Sequence, residues 1–176
     1  MKKTIIATLL ILTIASSSIF AVTDTDNFTV TTTITEIGKV KVSALAIVGN
    51  TLTAYTTAGD LATYGISSSG AQAGFTAYLT TLSNNRAGYT VSMTASAMKS
   101  ADTPYSYINY TVGCDTKSIT TTGATTPAAV EVMNESGLTT LTGASKAITL
   151  SIDSTTYDAA VSGSYTGTVT FNYAGK

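Results

Sequence analysis

Few side chains in this sequence are equipped for chemistry. Asp153 and Asp158 flank a polar stretch, SIDSTTYDAA, and could in principle work as paired carboxylates in general acid–base catalysis. Set among Ser and Thr, they read instead as solvated turn residues. Ser145 and Lys146 are adjacent, and adjacent side chains on a strand point to opposite faces, which disfavours a Ser–Lys dyad. Asp24-Thr25-Asp26 could lend oxygens to calcium, but the further ligands and the glycine of a calcium loop are missing, and the stretch reads as a solvated terminus. The chain of 176 residues has no His and one Cys, Cys114, which excludes His-assisted nucleophiles, imidazole ligation and a thiolate zinc site. There is no GxSxG, phosphate-loop or dinucleotide motif. Asn27, Asn109 and Asn134 head Asn-X-Ser/Thr triplets that read as chance in a Thr/Ser-rich chain. The expectation is a protein that is not an enzyme, with no catalytic residue, metal or cofactor.

What must be positioned, then, is a surface. Met1-Lys2-Lys3 followed by a short apolar run and the small residues up to Ala21 has the build of a signal peptide, with cleavage expected after Ala21 and Ser18 as the other candidate site. The apolar run is too short for a committed membrane span and nothing as hydrophobic recurs, so no membrane insertion is expected after leader removal. Without residues 1–21, seven basic residues face ten acidic ones, a net charge of −3 that is scattered and offers no footprint for nucleic acid. The remainder is long enough to bury one core. Cys114, unpaired in an oxidising compartment, is either buried or bridged between molecules; its residue type favours burial.

About a fifth of the residues are Thr, Pro occurs only at positions 104 and 127, and Val, Ile, Ser and Tyr are plentiful. These types suit pleated, half-buried surfaces. Period-two alternation runs through residues 28–34, 39–48, 75–82, 89–98, 105–112, 118–122, 146–153 and 164–173, with Gly, Asn, Asp or Ser at the breaks. Residues 39–48 and 51–56, joined by Gly49-Asn50, read as a hairpin. Tyr89, Val91, Met93 and Ala95 share a face, as do Tyr165, Gly167, Val169, Phe171 and Tyr173. No stretch has convincing helical periodicity. Residues 58–69 and 124–141 are the least regular, the latter with room for one short strand at 129–133. Turns at intervals of roughly ten residues predict an all-β protein, a single immunoglobulin-like antiparallel β-sandwich over residues 37–176.

The two ends of the chain add something narrower. Residues 22–36 form an N-terminal extension in which Phe28, Val30, Thr32 and Ile34 alternate with threonines, set off from Val40 and Val42 by Glu36-Ile37-Gly38. The chain closes on Ser164-Tyr165-Thr166-Gly167-Thr168-Val169 and, in its middle, carries LTTLSNNRAGYTVSM. In these features it resembles the major pilins of chaperone–usher fimbriae, of the class 5 (alpha) colonisation-factor type; spore-coat-U-like secreted domains share a comparable closing strand. The resemblance implies a sandwich one strand short, filled first by a periplasmic chaperone and then by the extension of the next subunit, with an outer-membrane usher as a further partner. It implies that Phe28, Val30, Thr32 and Ile34 are the donor residues. Tyr165, Gly167, Val169, Phe171 and Tyr173 would then form the groove or closing strand. Cell-surface location, homo-oligomerisation and a role in adhesion follow as expectations. Two departures stand out: Tyr173 is followed by Ala174-Gly175-Lys176, and Thr32 is small for the middle of a donor face. The other reading is a monomeric secreted immunoglobulin-like or spore-coat-like binding domain, which would keep residues 28–34 in its own sheet.

Overall fold

Alternating segments of this kind bury one face when paired, and in the computed structural model, which describes residues 28–176, they do so as antiparallel strands. The signal peptide assigned to residues 1–21, together with Asp24, Asp26 and Asn27, lies outside the described residues. The chain divides into two units, Met1–Thr33 and Ile34–Lys176. Of the first, residues 28–33 are described, and they belong to no strand.

The second unit is an all-β sandwich. One sheet has the order β1 (Gly38–Ser43), β3 (Ala77–Ser83), β10 (Thr142–Ile152), β7 (Tyr110–Cys114) and β8 (Lys117–Thr120), with β2 (Gly70–Ala71) continuing the β3 position along β10. The facing sheet is β12 (Val169–Gly175), β4 (Gly88–Ala95) and β9 (Val130–Ser136). A third, small sheet joins β11 (Tyr165–Thr166), β5 (Met98–Ser100) and β6 (Tyr107–Ile108) at one end. Three of the expected long strands are therefore interrupted: β4 breaks before β5, β6 before β7, and β11 before β12. At the last break Gly167 is obligatory, because a Cβ there would lie 2.9 Å from the Ser96 carbonyl oxygen and 3.0 Å from Met98 Cγ.

Between the sheets Leu79, Tyr89, Val91, Met93, Val112 and Cys114 are almost fully buried. The shared face expected of Tyr89, Val91, Met93 and Ala95 is thus the core face, and Cys114 is a buried free thiol. In β9 both Val132 and Met133 are buried; the register skips Val132 opposite Val91/Ser92, a bulge that turns two consecutive side chains inward. Thr81, whose hydroxyl is fully buried at the centre of β3, is satisfied by Tyr89 Oη at 2.7 Å.

The hairpin expected over residues 39–56 is not formed. After β1 the chain leaves the sheet as a strap over residues 44–60, with a single helical stretch, α1 (Leu52–Thr57). The physical reason is local capping. Thr51 Oγ1 accepts from the Ala54 amide (3.1 Å), and Thr56 and Thr57 return their hydroxyls to the carbonyls of Leu52, Thr53 and Ala54. The strap is held to the outer face of the large sheet. Asn50 Oδ1 accepts from the Gly143 amide (3.0 Å), Lys41 Nζ donates to the Ala58 carbonyl (2.8 Å), and the same ammonium sits over the Tyr55 ring at 5.2 Å. That cover accounts for Leu82 and Thr80, which point away from the core yet are buried. A second short helix, α2 (Ser154–Asp158), also departs from the expectation of no helix; Asp153 caps it, accepting from the Thr156 amide at 2.7 Å.

Candidate functional site

The candidate catalytic groups disperse. Asp153 is an exposed helix cap whose carboxyl is held below its ordinary value by its bonds to the Thr156 amide and hydroxyl. Ser145 faces Thr80, whereas Lys146 faces the other way and pairs with Asp115 at 3.0 Å. Among the described residues no three potential metal ligands converge.

The feature that does stand out is a gap between two strand edges. Among the described residues the strands β1 and β12 are each paired on one side only, to β3 and β4 respectively, and they border the same side of the sandwich. An unpaired edge presents main-chain donors and acceptors at every second residue. On β12, the Lys176 amide bonds to the Gly88 carbonyl and the Ser96 amide to the Thr168 carbonyl, so the even-numbered residues face β4. Val169, Phe171 and Tyr173 consequently turn their main-chain groups to the open edge and their side chains inward. On β1 the Asn84 amide bonds to the Ile37 carbonyl, so odd-numbered residues face β3; Val40 and Val42 face the gap.

At one end the gap is shut. The ring of Tyr173 lies on Gly38, where a Cβ would come within 2.4 Å of it; Tyr173 stacks on Tyr89 with ring centroids 5.2 Å apart and shares a hydrogen bond with Ser83 Oγ (2.9 Å). From Val42 and Phe171 onward the edges part around a cavity of about 390 Å³. Its walls are Val42, Tyr165, Gly167, Val169 and Phe171, and its floor is Tyr110, Val112, Leu150 and Ile152. Burial pushes the Tyr110 hydroxyl up to about 12, and its Oη reaches only the Thr168 carbonyl, at 3.4 Å. Part of the mouth is occupied by residues 61–66: the Leu61 amide bonds to the outward carbonyl of Val42 (2.9 Å), and Tyr64 packs edge-on against Phe75 with centroids 4.7 Å apart.

Four of the five closing-strand residues singled out by alternation, Tyr165, Gly167, Val169 and Phe171, line this cavity, and Tyr173 lies beyond it, over Gly38. Phe28, Val30, Thr32 and Ile34 are all exposed and belong to no strand; Phe28 is 88 %, Val30 81 % and Ile34 79 % exposed. The residues that sequence reasoning missed are Leu61 and Ile66, in a stretch without period, and Asn84 and Asn85, which stand at a break between two alternating segments; Phe75, read as the start of an alternating segment, lies two residues before β3. Compared with protein-family models, with curated proteins and with solved structures, the chain matches none.

Proposed function

We propose that this protein is an exported structural subunit of a surface fimbria: an immunoglobulin-like sandwich one strand short, completed by residues 28–34 of a neighbouring copy. The observation that carries the reading is the pairing of a lack with a surplus in one chain. An apolar groove lies between two unpaired strand edges, and a separate segment of alternating apolar residues is exposed and unpaired. Laid in the open part of the gap, an extended strand would satisfy the outward main chain of Val169 and Phe171 on one side and, with Leu61 displaced, of Val42 on the other. Its alternate side chains would fall onto Tyr110, Leu150 and Ile152. Each inserted hydrophobic side chain is worth roughly 1.5–3 kcal/mol and each added main-chain bond about 0.5–1.5 kcal/mol. Residues 61–66 make one main-chain hydrogen bond to Val42 and pack Leu61 and Ile66 on the core, and the incoming strand would have to displace them. An open apolar edge of this kind invites aggregation, which is the reason to expect a periplasmic chaperone before assembly and an usher during it.

The test is assembly. Purified protein should form chains that persist in mild detergent and come apart on heating, and deletion of residues 22–36 should abolish the chains while leaving a folded, chaperone-bindable monomer. A protein that stays monomeric, and unfolds when residues 22–36 are removed, would instead be the self-contained secreted binding domain. Genes for a chaperone and an usher beside this one would be the independent support.

A further inference from the structure

The stretch Thr35-Glu36-Ile37 sits between residues 28–34 and β1, and a tight turn there would fold the extension back along its own β1 as a hairpin. Such a local closure carries little loop entropy and would fill the subunit's own gap. The structure shows the opposite arrangement at this point. Asn84 follows the last residue of β3 and bonds to the root of the extension through both ends of its side chain. The Ile37 amide donates to Asn84 Oδ1 (2.6 Å), Asn84 Nδ2 donates to the Thr35 carbonyl (3.0 Å), and the Asn84 amide donates to the Ile37 carbonyl (3.1 Å). The carboxamide stands where the next peptide group of β3 would be, so it carries the β1–β3 ladder past the end of β3. Asn85 adds a second tie: its Nδ2 donates to Glu36 Oε1 (3.0 Å) and approaches the Lys176 carbonyl (3.4 Å), between the ends of β1 and β12. Gly175 leaves room for this, since a Cβ there would lie 2.9 Å from Glu36 Oε1.

All of these contacts lie at the shut end of the gap, where Tyr173 covers Gly38. The chain therefore reaches β1 from the side away from the groove mouth, with residues 35–37 committed to β3 and unable to make a turn. We propose that Asn84, assisted by Asn85, is a positioning residue that denies each subunit its own extension and so reserves the groove for a second copy of this chain. The inference rests on the strand-donation reading and assigns the choice between self-closure and chain growth to two side chains of the β3–β4 turn.

The experiment compares full-length wild type with Asn84→Ala and Asn84→Asp. Asn84→Asp keeps the acceptor for the Ile37 amide and loses the donor to Thr35, so it removes half the clamp with the least disturbance if the alanine variant does not fold. Chain yield is read from unheated detergent gels, and amide hydrogen exchange is followed by mass spectrometry on the monomeric fraction. In wild type, residues 28–34 should exchange freely in monomers and be protected only in chains. In Asn84→Ala, chain yield should fall at least ten-fold while a monomer appears in which residues 28–34 are protected; Asn84→Asp should lie between. Variants that form chains at the wild-type level with no protected monomer would overturn the clamp and leave strand donation standing. Wild type that forms no chains would overturn both.

Discussion

Truncating Phe28 to alanine separates a donor strand from a strand that the domain needs for itself. In the structure Phe28 is 88 % exposed, so nearly the whole of its transfer free energy is still to be gained. Full burial of a phenylalanine contributes about 1.5–3 kcal/mol, and less about 0.8 kcal/mol for the Cβ that alanine retains, Phe28→Ala should cost assembly about 1–2 kcal/mol. At about 1.4 kcal/mol per factor of ten, that weakens each subunit junction about 5- to 30-fold. The same substitution should leave the monomer's own denaturation midpoint unchanged, since the side chain contributes almost nothing there. Thr32→Ala on the same face is the internal control, with an effect below about 1 kcal/mol because only a methyl and a hydroxyl are lost. The assay is chain survival in detergent across a temperature series, run beside urea denaturation of the monomeric fraction. Chains that resist heating as well as wild type, or a monomer midpoint that falls with Phe28→Ala, would refute the reasoning.

Other consequences follow from the packing. Gly38→Ala places a Cβ 2.4 Å from a Tyr173 ring that Tyr89 and Ser83 hold in place, and should destabilise the domain by about 1–3 kcal/mol in urea; in a Tyr173→Ala background, itself destabilised by loss of the stack and the hydrogen bond, the same substitution should cost far less, read from a double-mutant cycle. Thr81→Val leaves the buried Tyr89 hydroxyl without its 2.7 Å partner and should cost about 1–3 kcal/mol, whereas adding Tyr89→Phe should cost less than the two single losses together, read from a double-mutant cycle. Burial pushes the Cys114 thiol up from 9.0 to about 11 and the hydroxyls of Tyr55 and Tyr110 up from 10.0 to about 12. Each group holds its proton more tightly folded than unfolded, so this stability is fully present below pH 9 and is lost as the pH rises from about 9 to 12. Melting temperatures across that range check it, and Cys114→Ala should flatten the part between about 9 and 11.

Much of the fold was legible residue by residue. The alternation in 89–98 and 164–173 named the core face of β4 and the inward face of the closing strand correctly, because a paired strand has only two faces and one of them must be dry. Residues 51–56 were misread because threonines favour strands on average; here they cap a helix and return their hydroxyls to its carbonyls, a choice set by hydrogen bonds of four-residue span and by Tyr55 finding cover on the outer face of the sheet. The breaks at Ser96-Ala97 and Gly167-Thr168 had no clear mark either, since they arise where the register between the two paired segments shifts by one residue and their main chains come close enough to exclude a Cβ at Gly167.

The sequence alone determined the class of the molecule: without histidine, with one cysteine and with threonine-rich alternation, it is an all-β chain whose exposed chemistry is hydroxyl and amide. It also determined that residues 28–34 have the pattern of a strand. Only the tertiary structure decided that those residues are left outside every sheet, that β1 and β12 stand unpaired on the same side, and that Tyr173 shuts one end of the space between them. Local patterning states which side chains seek burial. Which strand edges remain empty depends on partners distant in sequence, such as Gly38 with Tyr173 and Ile37 with Asn84, and no periodicity encodes those meetings.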